Sequence, residues 1–222
     1  TDVLEFWAKA DDHLLREYAI AHRLTAPANF IVHSLADVNK RLRQGRYFFT
    51  DILKDGIALY EAPGHPFERP KVLDPTEALA EAEGYFAEWF GSAVNYQELA
   101  RSACQKEMPK EAAFLFHQAA ERFYHCVLLV LTLYSPKSHK LNFLRSQCEQ
   151  LDARLAAAWP RSAKLEQRCF ELLRRAYVDA RYSPHYKIDA DELNWLNGRI
   201  ETLTGLVQSI CKEHLATLRA TP

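Results

Sequence analysis

Apolar residues recur at three- and four-residue steps over most of the chain and resolve into a series of amphipathic helices. From about Pro109 to Tyr134 the steps fall on Phe116, Ala120, Phe123, Val127, Leu131 and Tyr134, with Leu115, Leu128 and Leu129 on other sides. A helix apolar on several sides belongs at the centre of a bundle. Leu141, Leu144, Cys148, Leu151 and Leu155 mark the next helix, and Leu165, Cys169, Leu172, Leu173 and Ala176 another. A last helix starts at Asp189, with Glu192 completing a capping box, and runs through Leu193, Leu196, Ile200, Leu203, Val207 and Ile210.

The first 62 residues read differently. Val3 to about Leu24 is helical, and Ser34 followed by Asp37 predicts a second helix with Leu35, Val38 and Leu42 on its apolar side. Between them "PANFIVHS" reads as a short buried strand, and after the Asp55-Gly56 turn Ile57 to Tyr60 reads as a second one. A connector, Ala62 to Pro75, follows with four prolines and a glycine. Asp74 as N-cap and Pro75 at the first helical position then open an all-helical remainder. The domains are thus 1–62, a linker 63–75 and a helical bundle 76–222. The small α/β part lacks a complete sheet, and the chain starts at Thr1, so we expect roughly 70 to 100 further residues on the N-terminal side in the natural protein.

Composition narrows the class. With 48% apolar and 26% charged residues the chain reads as globular. Its longest apolar run, Cys126 to Tyr134, is far short of the about 20 residues of a membrane span. Five cysteines without a C-x-x-C pair argue against a disulfide framework and against zinc, and a reducing cytoplasm is the economical location. The net charge of −1 hides a segregation: residues 71–136 carry five basic and nine acidic side chains, residues 137–187 eleven and five. Such a basic block attracts phosphate-bearing ligands, unless its charges are spread over several solvated helix faces.

That block contains "RRAYVDARYSPHYKI", Arg174 to Ile188. Arg174 and Arg181 share one side of a helix, being seven residues apart. Pro184 turns the chain and presents Tyr182, His185, Tyr186 and Lys187 on a bend. Guanidinium groups hold phosphates, tyrosines stack on bases and an imidazole shuttles protons. The alternative is that these cations only meet a helix C-terminus. No phosphate loop, H-E-x-x-H pair or serine elbow occurs. His117 and His125 read as hydrogen-bonded core histidines.

The order of three motifs, "AAFLFHQAAERFYHCVL" (Ala112–Leu128), "SHKLNFL" (Ser138–Leu144) and "ARYSP" (Ala180–Pro184), resembles the HEPN domain family over about residues 76–215. The resemblance implies an antiparallel bundle of four to five helices, a homodimer, and nucleotide or RNA binding. It also brings in metal-independent ribonucleases of the toxin-antitoxin kind, whose arginine precedes a histidine by four to six intervening residues. Here the nearest pair is Arg181 and His185, with three residues between. The stretch Ile31–Ala62 is similar to the second half of a minimal nucleotidyltransferase. The Gly-Ser turn and two aspartates that this class uses are missing from the chain, Asn29 stands where an acid is often supplied, and Asp51 and Asp55 read as structural. Mg2+ therefore belongs only to a missing transferase half, and no cofactor is expected here.

Two further readings compete with a nucleotide- or RNA-binding module: a ribonuclease using Arg181 and His185, and a dimerisation module. The expected binding groove is lined by Arg174, Arg181, Tyr182, His185 and Lys187, with Lys137, His139 and Lys140 from the preceding turn. Nothing in the pattern points to sequence readout of DNA.

Overall fold

The structure is a computed structural model and describes residues 2–26, 28, 30–71 and 73–220. It divides into two compact units, one up to Val38 and one from Asn39 onward.

The first unit is built on α1 (Asp2–Ala19). Trp7 lies between Phe6 and Phe30, at ring separations of 5.0 and 5.6 Å. The helix stops earlier than its apolar spacing suggests, and His22 carries a φ of 51° in the turn that follows. At the other end Ser34 Oγ accepts the Asp37 N–H at 3.2 Å, which starts α2 (Leu35–Arg43) where the sequence placed it.

Neither expected strand forms. The described residues around Phe30–His33 and those of Ile57–Tyr60 are irregular, and the described residues contain no strand. The α/β remnant expected over 1–62 is therefore corrected to helices α1, α2 and α3 (Tyr47–Asp55) with irregular links. A strand exists only when a neighbour takes up its backbone groups. Ile57, Leu59 and Tyr60 have no such neighbour and are 87, 94 and 80% exposed. Asn29 lies outside the described residues.

The proline-rich connector is laced to α2. Asn39 donates to Pro66 O and accepts the Glu68 N–H, at 3.2 and 2.9 Å, and the Lys71 N–H reaches Leu42 O at 2.9 Å. Gly45 makes this approach possible: its φ is +66°, and a Cβ there would stand 2.6 Å from Lys71 O.

The helices beyond are α4 (Pro75–Tyr85), a π-helical turn (Phe86–Phe90), α5 (Gly91–Gln105), α6 (Pro109–Thr132), α7 (Leu141–Leu151), a 3-10 turn (Ala153–Ala158), α8 (Lys164–Tyr182) and α9 (Ala190–Ala220). Caps set their ends. Asp74 Oδ1 accepts from Thr76 and Glu77 at the start of α4, and Asp189 and Glu192 exchange backbone-to-carboxylate bonds of 3.0 and 2.8 Å at the start of α9. Leu133, at φ 54°, ends α6 in a left-handed cap.

As its all-round apolarity predicts, α6 is the central helix, packed against α4, α5, α7, α8 and α9. Tyr124, fully buried, accepts from Trp159 Nε1 through its hydroxyl at 2.7 Å and from Cys148 Sγ through its carbonyl at 3.4 Å. Most apolar residues of α6 are buried within the chain, while Phe114, Leu115 and Leu131 stay partly exposed.

Candidate functional site

Burying a polar side chain costs free energy unless it is paired, so the polar residues inside an apolar bundle mark where the fold gives up stability for something else. Three of them, His117, Glu121 and His125, stand at four-residue steps on α6. They form a seam along one face of the helix.

His117 donates its Nδ1 proton to Leu173 O on α8 at 2.9 Å, which turns Nε2 toward Glu121 Oε2 at 3.4 Å. The other carboxylate oxygen, Oε1, accepts from His139 Nδ1 at 2.9 Å. Burial pushes the Glu121 carboxyl up, but the contacts from His117 and His139 outweigh it and hold the group below the usual carboxylate range. His125 donates Nε2–H to Ser138 O at 3.2 Å and accepts the Ser135 hydroxyl on Nδ1 at 2.5 Å. Its burial pulls the imidazole pKa down, in keeping with a neutral ring. Glu121 and His125 together pin the α6–α7 turn, Leu133 to Lys140, over the seam.

The turn carries His139 out to the surface, where its ring stacks on Tyr177 of α8 at 4.6 Å and 11°. Tyr177 is the hinge of the site. Its ring also meets His117 at 5.4 Å and Phe114 at 6.4 Å, and Arg181, one helical turn on, has its Cζ 4.6 Å from the Tyr177 ring centre, 5.1 Å from Phe114 and 5.0 Å from Tyr182. Arg181 Nε donates to Tyr177 O at 2.6 Å, while its two Nη groups make no hydrogen bond among the described residues. The guanidinium is thus exposed but fixed, with three aromatic rings about its faces and one edge presented to solvent. Beside it is a hollow of about 390 Å³ lined by Lys110, Glu111, Phe114, Leu115, Ala180 and Arg181. Lys110 Nζ bonds Ser183 O at 3.0 Å and ties α6 to the end of α8.

Of the residues expected in the basic groove, His139, Arg181 and Tyr182 converge on this spot. Arg174 lies on the same helix but holds Glu171 at 2.5 and 2.8 Å, and Arg175 similarly holds Asp179 at 2.6 Å. Much of the local positive balance is therefore neutralised within α8. Lys137 and Lys140 are exposed on the turn. The bend at Ser183–Pro184 does end α8, and His185 and Lys187 are exposed beyond it. Tyr186 departs from expectation: it is buried and donates to Leu172 O at 2.9 Å, because the bend folds back onto α8. No hydrogen bond or ring contact joins His185 to Arg181 among the described residues.

One family model matches this chain. It is that of the HEPN domain, and it matches residues 86–210, more than half of the chain. The chain belongs to the HEPN domain family. No curated protein matches the chain. Among its described residues the HEPN bundle contains no group of three or more histidine, cysteine or acidic side chains able to hold a metal ion. No helix among them is long and apolar enough to cross a membrane.

Three contributors to the site were not singled out from the sequence: Glu121, Tyr177 and Phe114. Glu121 had a visible signal, a carboxylate between two histidines at four-residue steps in an otherwise apolar helix. Tyr177 and Phe114 had none, since their role depends on how α6 and α8 pack.

Proposed function

We propose that this chain is a nucleotide- or RNA-binding HEPN module whose anion contact is Arg181. The observation that carries the reading is the fixed guanidinium. Its Nε is spent on Tyr177 O, its faces meet aromatic rings, and its Nη edge faces solvent. Little side-chain entropy is left to lose when that edge meets a phosphate, and Tyr182, 74% exposed, offers a stacking surface next to it. Arg181→Ala is expected to lower affinity for ATP or a short RNA by roughly tenfold or more, the effect of one charged hydrogen bond. The variant should keep nearly the parental melting temperature, because the side chain is exposed. Unfolding of the variant, together with absence of salt-sensitive binding by the parent, would leave Arg181 as a strut and end the reading.

A second reading is favoured by His139. Its Nδ1–H is held by buried Glu121, which leaves Nε2 without a hydrogen bond among the described residues, and its ring and Arg181 both contact Tyr177. In RNA cleavage His139 Nε2 would take the proton of a ribose 2′-OH as that oxygen attacks the adjacent phosphorus. The 5′-oxygen would leave with a proton from water, and Arg181 would offset the charge gathering on the phosphoryl oxygens. This moves the imidazole role from His185 to His139. Fusion to a nucleotidyltransferase half rests on the resemblance of Ile31–Ala62 alone, and Mg2+ would belong to that half.

A further inference from the structure

Beside the polar seam, α6 carries a further cation. Arg122, half-buried on the same helix, places its Cζ 5.1 Å from the Trp89 ring centre and 5.3 Å from that of Tyr96. It makes no hydrogen bond or ion pair among the described residues. Trp89 is set by the π-helical turn Phe86–Phe90, and its ring also meets His125 at 5.3 Å. Wide turns of this kind recur at functional sites. An arginine held by aromatic rings and lacking a carboxylate is the arrangement already seen at Arg181.

The two arginines are joined by an unbroken series of contacts. Arg122 meets Trp89, Trp89 meets His125, and His125 holds the turn at Ser135 and Ser138. His139 follows in the chain and stacks on Tyr177, which meets Arg181. The acid lying among them, Glu121, is sequestered by His139 and His117. Lys137 is exposed on the same turn. Phe114, which contacts Arg181, and Arg122 are separated by about 12 Å along α6 at ~1.5 Å per residue. A stacked strand advances ~3.4 Å per nucleotide, so the gap spans about three to four nucleotides.

We propose that Arg122, clamped between Trp89 and Tyr96, is a second phosphate contact, and that the ligand is a single-stranded oligonucleotide rather than a mononucleotide. The strand crosses the α6–α7 turn from Arg181 to Arg122, with His139 beneath it. This rests on the reading of Arg181 as an anion contact.

The test uses the full chain and fluorescein-labelled uridine oligonucleotides, a dinucleotide and an octanucleotide, followed by anisotropy at several salt concentrations. The parent is expected to bind the octanucleotide roughly tenfold or more tighter than the dinucleotide. Arg122→Ala should abolish that advantage, leave dinucleotide binding unchanged and reduce the salt slope for the octanucleotide by about 0.7. Arg122→Gln keeps a planar group between the two rings and removes the charge, so it folds with the sandwich intact and should show the same loss. Octanucleotide affinity unchanged in Arg122→Gln, or a parent indifferent to length, overturns the proposal. If the parent binds ATP through Arg181 in those cases, only the Arg122 contact falls. If it binds neither ATP nor the dinucleotide, the Arg181 reading falls as well.

Discussion

Replacing Glu121 by glutamine tests whether the seam is the electrostatic centre of the site or merely packed polar matter. The change is nearly isosteric, so it removes charge rather than volume. Oε1 accepts from His139 at 2.9 Å and Oε2 faces His117 at 3.4 Å, and the Glu121 side chain is 9% exposed against 59% for His139. A hydrogen bond to a charged group contributes about 1.5–3 kcal/mol. Full loss of a buried pair costs about 3–5 kcal/mol, a ceiling lowered here by the solvent around His139. We therefore expect Glu121→Gln to destabilise by about 2 kcal/mol near neutral pH, or roughly 4–8 °C in melting temperature for a chain of this size. The pH dependence has a definite sign. The folded carboxyl lies below its ordinary range, so its contribution is complete above about pH 4.5 and is lost as pH falls through the folded value. The difference between parent and variant, measured by urea unfolding from about pH 7 down to pH 3, should shrink in acid. Equal stabilities near pH 7, or a difference that persists unchanged in acid, would refute the assignment of Glu121 as a paired carboxylate.

Trp159→Phe removes the 2.7 Å bond to the hydroxyl of fully buried Tyr124 and is expected to destabilise the bundle by about 1–3 kcal/mol, read by urea unfolding followed by far-UV circular dichroism. For self-association, the exposed apolar residues Leu165 and Val178 of α8 are the contact we test. We expect a dimeric mass in light scattering that becomes monomeric in Val178→Glu; a parent that is monomeric at micromolar concentration contradicts this.

The helical bundle was legible because its signals are local. Caps such as Asp74 and the Asp189–Glu192 box are written within four residues, and the apolar steps of α6 carry its central place without reference to other helices. Pro184 likewise dictates the end of α8 from a single ring. The strands expected in "PANFIVHS" and Ile57–Tyr60 do not form among the described residues for the complementary reason: an apolar run becomes a strand only if another segment completes its hydrogen bonds, and that partner is a property of the fold. The basic segment shows the same divide. Its charge count was plain, but which cations are spent on neighbours and which are presented depended on helix geometry. Arg174 turned to Glu171 and Arg175 to Asp179, whereas Arg181 met the aromatic rings of Phe114, Tyr177 and Tyr182. Glu121, His139 and Arg181 are far apart in sequence, and it is the packing of α6 against α8, with the intervening turn pinned by His125, that brings them together. Side-chain chemistry is fixed residue by residue, whereas proximity is set by tertiary contacts between helices.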